Sequence, residues 1–243
     1  MDGKKNNKIK CIIRSVVYKL MKVYSMMFII FSLLIVSCGL DTVIYLEPPN
    51  IKHSNYDSND DSNKYLEFET SESENASVLD YIKGFEVYYR IYERKEDRSS
   101  DYSSIYRYDE DNPSVSATYL VETKKYKILS ISNASSNDRP LIKKTSSNKR
   151  IKIRLSEYGN EEIGFYLDGT KIGIPIRNNA LDFKKDEIKN TNDDVFPIPS
   201  SNKDGVVDEY WYVNMYAVTY GADKSFKPLY SKLEFIGFLK IKK

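Results

Sequence analysis

A stretch of 14 uncharged positions, residues 23–36, runs straight into Ser37-Cys38 and divides the chain into two parts with different fates. It is too short for a transmembrane helix, which needs about 20 apolar residues. As a buried helix it would have no polar face, which suits a small domain poorly. As the apolar centre of a signal peptide it fits well. Seven Lys/Arg and one acid lie within residues 1–37, and small residues stand at the end of the run.

Leu34, Ile35, Val36 and Ser37 before Cys38 resemble the lipobox of bacterial lipoproteins. The resemblance implies that the Cys38 thiol receives a diacylglycerol, that a peptidase cuts between Ser37 and Cys38, and that the freed amine is open to acylation. Two or three acyl chains, at about 0.8 kcal/mol per buried CH₂, anchor durably where one does not. The expected organisation is a signal peptide over 1–37, with Met21 as an alternative start, then a lipidated tether over 38–41 and one domain over 42–243. Cys11 leaves with the signal and no cysteine follows Cys38, so the body must hold without a disulfide.

From position 38 on, 30 basic residues face 34 acidic ones, and this mildly acidic body argues against nucleic acid as a partner. The chain has 21 tyrosines, and its Tyr and Ile favour strands while its many Asn and Ser favour turns. A first strand is expected over 39–47, ahead of Pro48-Pro49, and another over 64–70. Residues 84–93, "GFEVYYRIYE", alternate most clearly: Phe85, Val87, Tyr89 and Ile91 share one face, Glu86, Tyr88, Arg90 and Tyr92 the other. "RKEDRSSDYSS" reads as a polar loop, and Asn112-Pro113 as the start of a short helix within 112–126. Strands are expected over 126–132 and 149–157, the latter with Ile151, Ile153 and Leu155 inward. Asp168-Gly169 marks a hairpin over 162–177. Residues 178–209 read as an insertion loop with a short helical piece, and two long strands, 209–221 and 229–241, close the chain. With no βαβ rhythm, the fold class expected is all-β, an antiparallel β-sandwich with one or two short helices.

Three segments carry a resemblance to a known fold. "GFEVYYRIYE" is similar to the third strand of fibronectin type III domains. "YWYVNMYAVTYG" followed by "KPLYSKLEFIG" is similar to that fold's last hairpin, and "LEPPN" to its proline-opened first strand. Together with the lipobox and the Lys/Asn/Tyr bias, the chain resembles a spirochaetal lipoprotein built on a fibronectin type III or immunoglobulin-like sandwich. One such module has about 100 residues, so residues 94–208 are expected to be a long insertion. The resemblance implies binding or display rather than catalysis.

The inventory of reactive groups is thin. The one histidine, His53, has no second His or available Cys to join it, which excludes His-based metal sites and Ser/His/Asp or Cys/His catalysis. Acid clusters stand at Asp109-Glu110-Asp111, Glu161-Glu162 and Asp193-Asp194. A calcium-like spacing of Asn202, Asp204, Gly205 and Asp208 lacks its distal Glu, since Trp211 falls there, and "DSNDDSN" over 57–63 lacks the glycine as well. No cofactor or metal is expected. Residues 123–154 hold Lys124, Lys125, Lys127, Arg139, Lys143, Lys144, Lys149, Arg150, Lys152 and Arg154 against Asp138 alone. These ten read either as a patch for an anionic partner such as an anionic polysaccharide, lipid headgroups or an acidic protein, or as solubilising charge on strand edges. Tyr88, Tyr92, Tyr210, Tyr212, Tyr216 and Tyr220 read first as core and second as a binding face.

The function expected is a non-catalytic, lipid-anchored protein of the bacterial envelope that binds or displays at the cell surface. The alternative is a periplasm-facing accessory or structural lipoprotein, and a minor one is a carboxylate-dependent hydrolase.

Overall fold

The structure is a computed structural model and describes residues 17–28, 44–54, 60–132, 139–198 and 208–243. Cys11, Ser37, Cys38, residues 57–59 of one calcium-like loop and Asn202, Asp204 and Gly205 of the other lie outside the described residues. The chain forms two compact units, Met1–Val43 and Ile44–Lys243. In the first, residues 17–28 are helical (α1) with exposed side chains. No helix among the described residues is long and apolar enough to cross a membrane.

The second unit is mostly β and built of antiparallel sheets. One sheet has the order β1 (Asn50–His53), β2 (Leu66–Glu69), β7 (Arg150–Arg154), β8 (Gly164–Leu167), β9 (Thr170–Gly173). The other centres on β3 (Ile82–Tyr92) paired with β11 (Tyr210–Ala222). The far edge of β11 carries β12 (Pro228–Tyr230) and β13 (Glu234–Lys242) in succession. The far edge of β3 carries β4 (Lys127–Ile128) and β6 (Ile142–Lys143). A two-stranded ladder joins β5 (Ser130–Ile131) to β10 (Pro175–Ile176).

The alternation read from the sequence decides the packing. Phe85, Val87, Tyr89 and Ile91 of β3 meet Leu66, Phe68, Ile151, Ile153 and Phe165 of the first sheet in one apolar core. Leu155 is buried in the same core. The opposite face of β3 and β11 is buried too. Tyr88, Tyr92, Tyr212, Tyr216 and Phe238 lie with Ile105, Ala117 and Leu120, which belong to α2 (Lys95–Asp111) and α3 (Ser116–Glu122). The tyrosines thus take the core alternative, with Tyr210 and Tyr220 half-buried.

Three expectations need correction. The strand expected over 39–47 is no strand in its described part. β1 begins after Pro48-Pro49, and the Glu47 backbone is taken by side chains, its carbonyl accepting from Thr219, Ser71 and Asn75. The polar loop expected after residue 93 is the 17-residue helix α2. Residues 94–208 are no excursion from a finished fold, because they supply both covering helices and β7, β8 and β9. The hairpin stands as expected: Asp168 and Gly169 have φ of 48° and 81°, the two positive values that a type I′ turn demands.

Gly84 shows why one position tolerates no side chain. Its φ is +154°, and a Cβ there would lie 2.0 Å from the Ile142 carbonyl oxygen. β6 approaches β3 only because that atom is absent.

Candidate functional site

The ten cations of 123–154 divide between two sheets and their connections. β4 and β6 carry Lys127 and Lys143 on the edge of β3, while β7 carries Arg150, Lys152 and Arg154 in the other sheet. Seven of the ten have a carboxylate within 4 Å: Lys124 with Asp101, Lys127 with Asp193, Arg139 with Glu86, Lys149 with Asp168, Arg150 with Glu67, and both Lys152 and Arg154 with Glu161. Arg154 is buried and donates to the carbonyls of Asp61 and Ser62. Lys144 reaches the Leu79 carbonyl at 2.8 Å. Lys125 and Lys143 are exposed, and neither has a carboxylate partner among the described residues. The charge that looks concentrated in sequence is largely balanced in space.

The acid clusters separate in the same way. Asp194 is buried and pairs with Arg177 at 2.7 and 2.9 Å, while the Tyr89 hydroxyl donates to it at 2.8 Å. This pair fastens the 177–195 connection to β3. Glu161 and Glu162 line a cleft of about 640 Å³ beside the β8–β9 hairpin. Leu155, Ile163, Ile174, Pro175 and Phe183 supply its apolar surface. Glu157 and Asp182 add two further acids, and Lys171 and Lys184 two cations. The hydrogen bond from Lys152 holds Glu161 below the usual carboxylate range, and that from Lys171 does the same for Glu162. Carboxyls held ionised in this way are poor general acids at neutral pH.

The third cluster borders a smaller pocket of about 210 Å³ under α2. Tyr102, Tyr106, Tyr216 and Phe235 supply its rings, and Asp109, Lys232 and Glu234 its charges. Burial raises the Asp109 carboxyl, against the opposing hydrogen bonds of Ser116 and the Leu233 amide. Burial likewise pushes Glu234 up to about 7, with Lys232 opposing. The Tyr216 hydroxyl is buried here and finds no partner among the described residues. Lys232 is turned toward Glu110 and lies 3.9 Å from Asp109.

Sequence reasoning located the acids at 109–111 and 161–162 without their surroundings, and it passed over Glu234, Phe183 and Arg177. One signal for α2 was present: Tyr102, Ile105, Tyr106 and Asp109 stand at helical spacing behind the acidic start Glu96-Asp97. Among the described residues no group of three or more His, Cys, Asp and Glu is placed to hold a metal ion. Comparison with family models, with curated proteins and with solved structures finds no match to this chain.

Proposed function

We propose that the chain is a bacterial envelope lipoprotein, cut before Cys38 and held to a membrane by acyl chains on that residue, whose body binds or displays rather than catalyses. The observation that carries the reading is the sequence Leu34-Ile35-Val36-Ser37-Cys38 behind a basic, apolar leader. The cleft of about 640 Å³ supports a binding role, because it is within the size range of ligand sites and its acids are locked to lysines.

We read the body as a sandwich of the fibronectin or immunoglobulin kind with a helical layer added. Support comes from strand order. Two of the three segments that carried the resemblance, "GFEVYYRIYE" and the closing hairpin, lie side by side as β13-β11-β3, the order of strands G, F and C in that fold. β1-β2-β7 run in the order of its strands A, B and E. β8 and β9 depart from the pattern.

Protease treatment of intact and permeabilised cells, with Cys38→Ser alongside, tests this. Digestion of the body in intact cells supports surface display. Protection until permeabilisation favours the periplasm-facing alternative, which the few residues between Cys38 and Leu46, the first buried residue among those described after it, also favour. Full membrane partitioning of Cys38→Ser would sink the lipid anchor. The hydrolase reading would draw on Asp109 and Glu234, whose pocket of about 210 Å³ is below the ~300 Å³ at which ligand sites begin, or on Glu157 and Asp182 in the larger cleft.

A further inference from the structure

The β11–β12 turn, residues 223–227, is built to hold one aromatic ring in solvent. Phe226 is 86% exposed, more than any other large apolar side chain described. Its φ is +63°, a left-handed conformation in which Gly or Asn would sit without strain. The turn around it is tightly made. The Asp223 side chain accepts from the amides of Ser225 and Lys227, the Asp223 carbonyl accepts from Phe226, and the Asp223 amide donates to Lys227. Lys224 and Lys227 flank the ring, both exposed and neither with a carboxylate partner among the described residues. A strained, exposed phenylalanine between two free lysines in a rigid turn serves no packing role in the body.

The position of the turn says what the ring meets. Among the described residues after Cys38, Leu46 is the first that is buried, and Glu47 is hydrogen-bonded beside it. Leu46 is buried, and its Cδ1 lies 3.2 Å from where a Gly221 Cβ would be. Thr219 donates to the Glu47 carbonyl at 2.6 Å. Gly221 is thus beside the point of attachment, and the tip of the turn is about 10 Å further along the strands. The eight residues from Cys38 to Leu46 reach at most about 29 Å when fully extended. In a body lipidated at Cys38 this end is therefore within about 29 Å of the anchored residue, close enough for the turn to meet the bilayer.

We propose that Phe226 inserts into the interfacial layer of the membrane that anchors the protein, with Lys224 and Lys227 on lipid phosphates, as a second foothold beside the acyl chains. The inference rests on the lipid-anchor reading above. A phenylalanine ring buries at the headgroup/acyl boundary of a bilayer interface, and lysines reach outward from it. Exposed Glu47, Glu74 and Asp80 share this end with exposed Lys83, Lys143 and Lys144, so the cations Lys224 and Lys227 add to an end whose other exposed charges are balanced.

The test uses the full chain carrying Phe226→Trp, processed in a bacterial host and reconstituted into phosphatidylcholine/phosphatidylglycerol vesicles with nitroxide-labelled lipid. Trp211, the one native tryptophan, is buried, and the unsubstituted chain gives its background. Mass spectrometry reports the acylation of Cys38 on the same sample. The expected result is a blue shift and about twofold quenching of the introduced tryptophan by shallow nitroxides, weakened when Lys224→Ser and Lys227→Ser are added. With Cys38 acylated, emission that stays solvent-like overturns the inference and leaves the anchor standing. A blue shift without quenching overturns it in favour of a protein contact. A free, unacylated Cys38 overturns the anchor reading and this inference with it.

Discussion

Arg139 closes over a carboxylate that has no access to water. Glu86 is fully buried, and the guanidinium meets it with two hydrogen bonds of 2.7 Å while Tyr88 donates a third. Arg139→Ala should therefore cost about 2 kcal/mol or more, less than a fully buried pair because Arg139 is half-exposed. Arg139→Lys should recover only part of it, since lysine cannot reproduce the fork. Urea unfolding of the three forms measures both. Glu234 gives a prediction in pH. Burial raises its carboxyl from 4.5 to about 7, so the folded state binds more protons than the unfolded one between those values. Its stabilising contribution is complete below about pH 4.5 and is lost as pH rises through about 7. Glu234→Gln should flatten the loss by about 1–2 kcal/mol, the figure allowing for the part-exposed side chain. Comparing melting at about pH 5 and about pH 8 checks the sign. Positions such as Arg139 and Glu161 were legible in the sequence as charges. Their partners were not, because Glu86 lies 53 residues from Arg139.

The helix α2 is the element the sequence hid. Its buried positions are Asp101, Ile105 and Asp109, four residues apart. Two of the three are acids, so the stripe that faces the sheet does not read as apolar. Asp101 accepts from Tyr92 at 2.5 Å and from Lys124 at 2.7 Å, so α2 is pinned by ionic and phenolic contacts where aliphatic ones are usual. Asp101→Ala should cost about 2–4 kcal/mol by removing the carboxylate that Tyr92 and Lys124 share, leaving them only Tyr126 and Ser104. Limited proteolysis should then cut first within 95–122; cuts elsewhere would mean that α2 is held by other contacts. The strands were easier to read because their signal is local: β3 alternates along its length, β7 puts Ile151 and Ile153 inward, and Asp168-Gly169 dictates its turn. Pro48-Pro49 misled, since the strand lies after the prolines, where backbone donors become available again.

At the scale of the whole molecule, β3 and β11 form the middle layer, with the first sheet on one side and the helices on the other. Hydrogen exchange should be slowest at Val87–Ile91 and Val213–Ala217, and exchange as fast as that of β9 would contradict this layering. The size of the body was legible, but the use of residues 94–208 was not. Short strands paired with distant partners, such as β7 with β2, leave no periodic trace of which sheet they join. The pairing of β3 with β11 also governs when the body can form. Residues 82–92 find their partners only at 210–222, and Leu46 and Glu47 close against Thr219 and Gly221. In a chain exported N-terminus first, Cys38 and β3 emerge long before β11 does. Folding so dominated by distant contacts is slow to begin. Under the lipoprotein reading proposed above, translocation and acylation would act on an open chain, and closure would follow the arrival of the last strands.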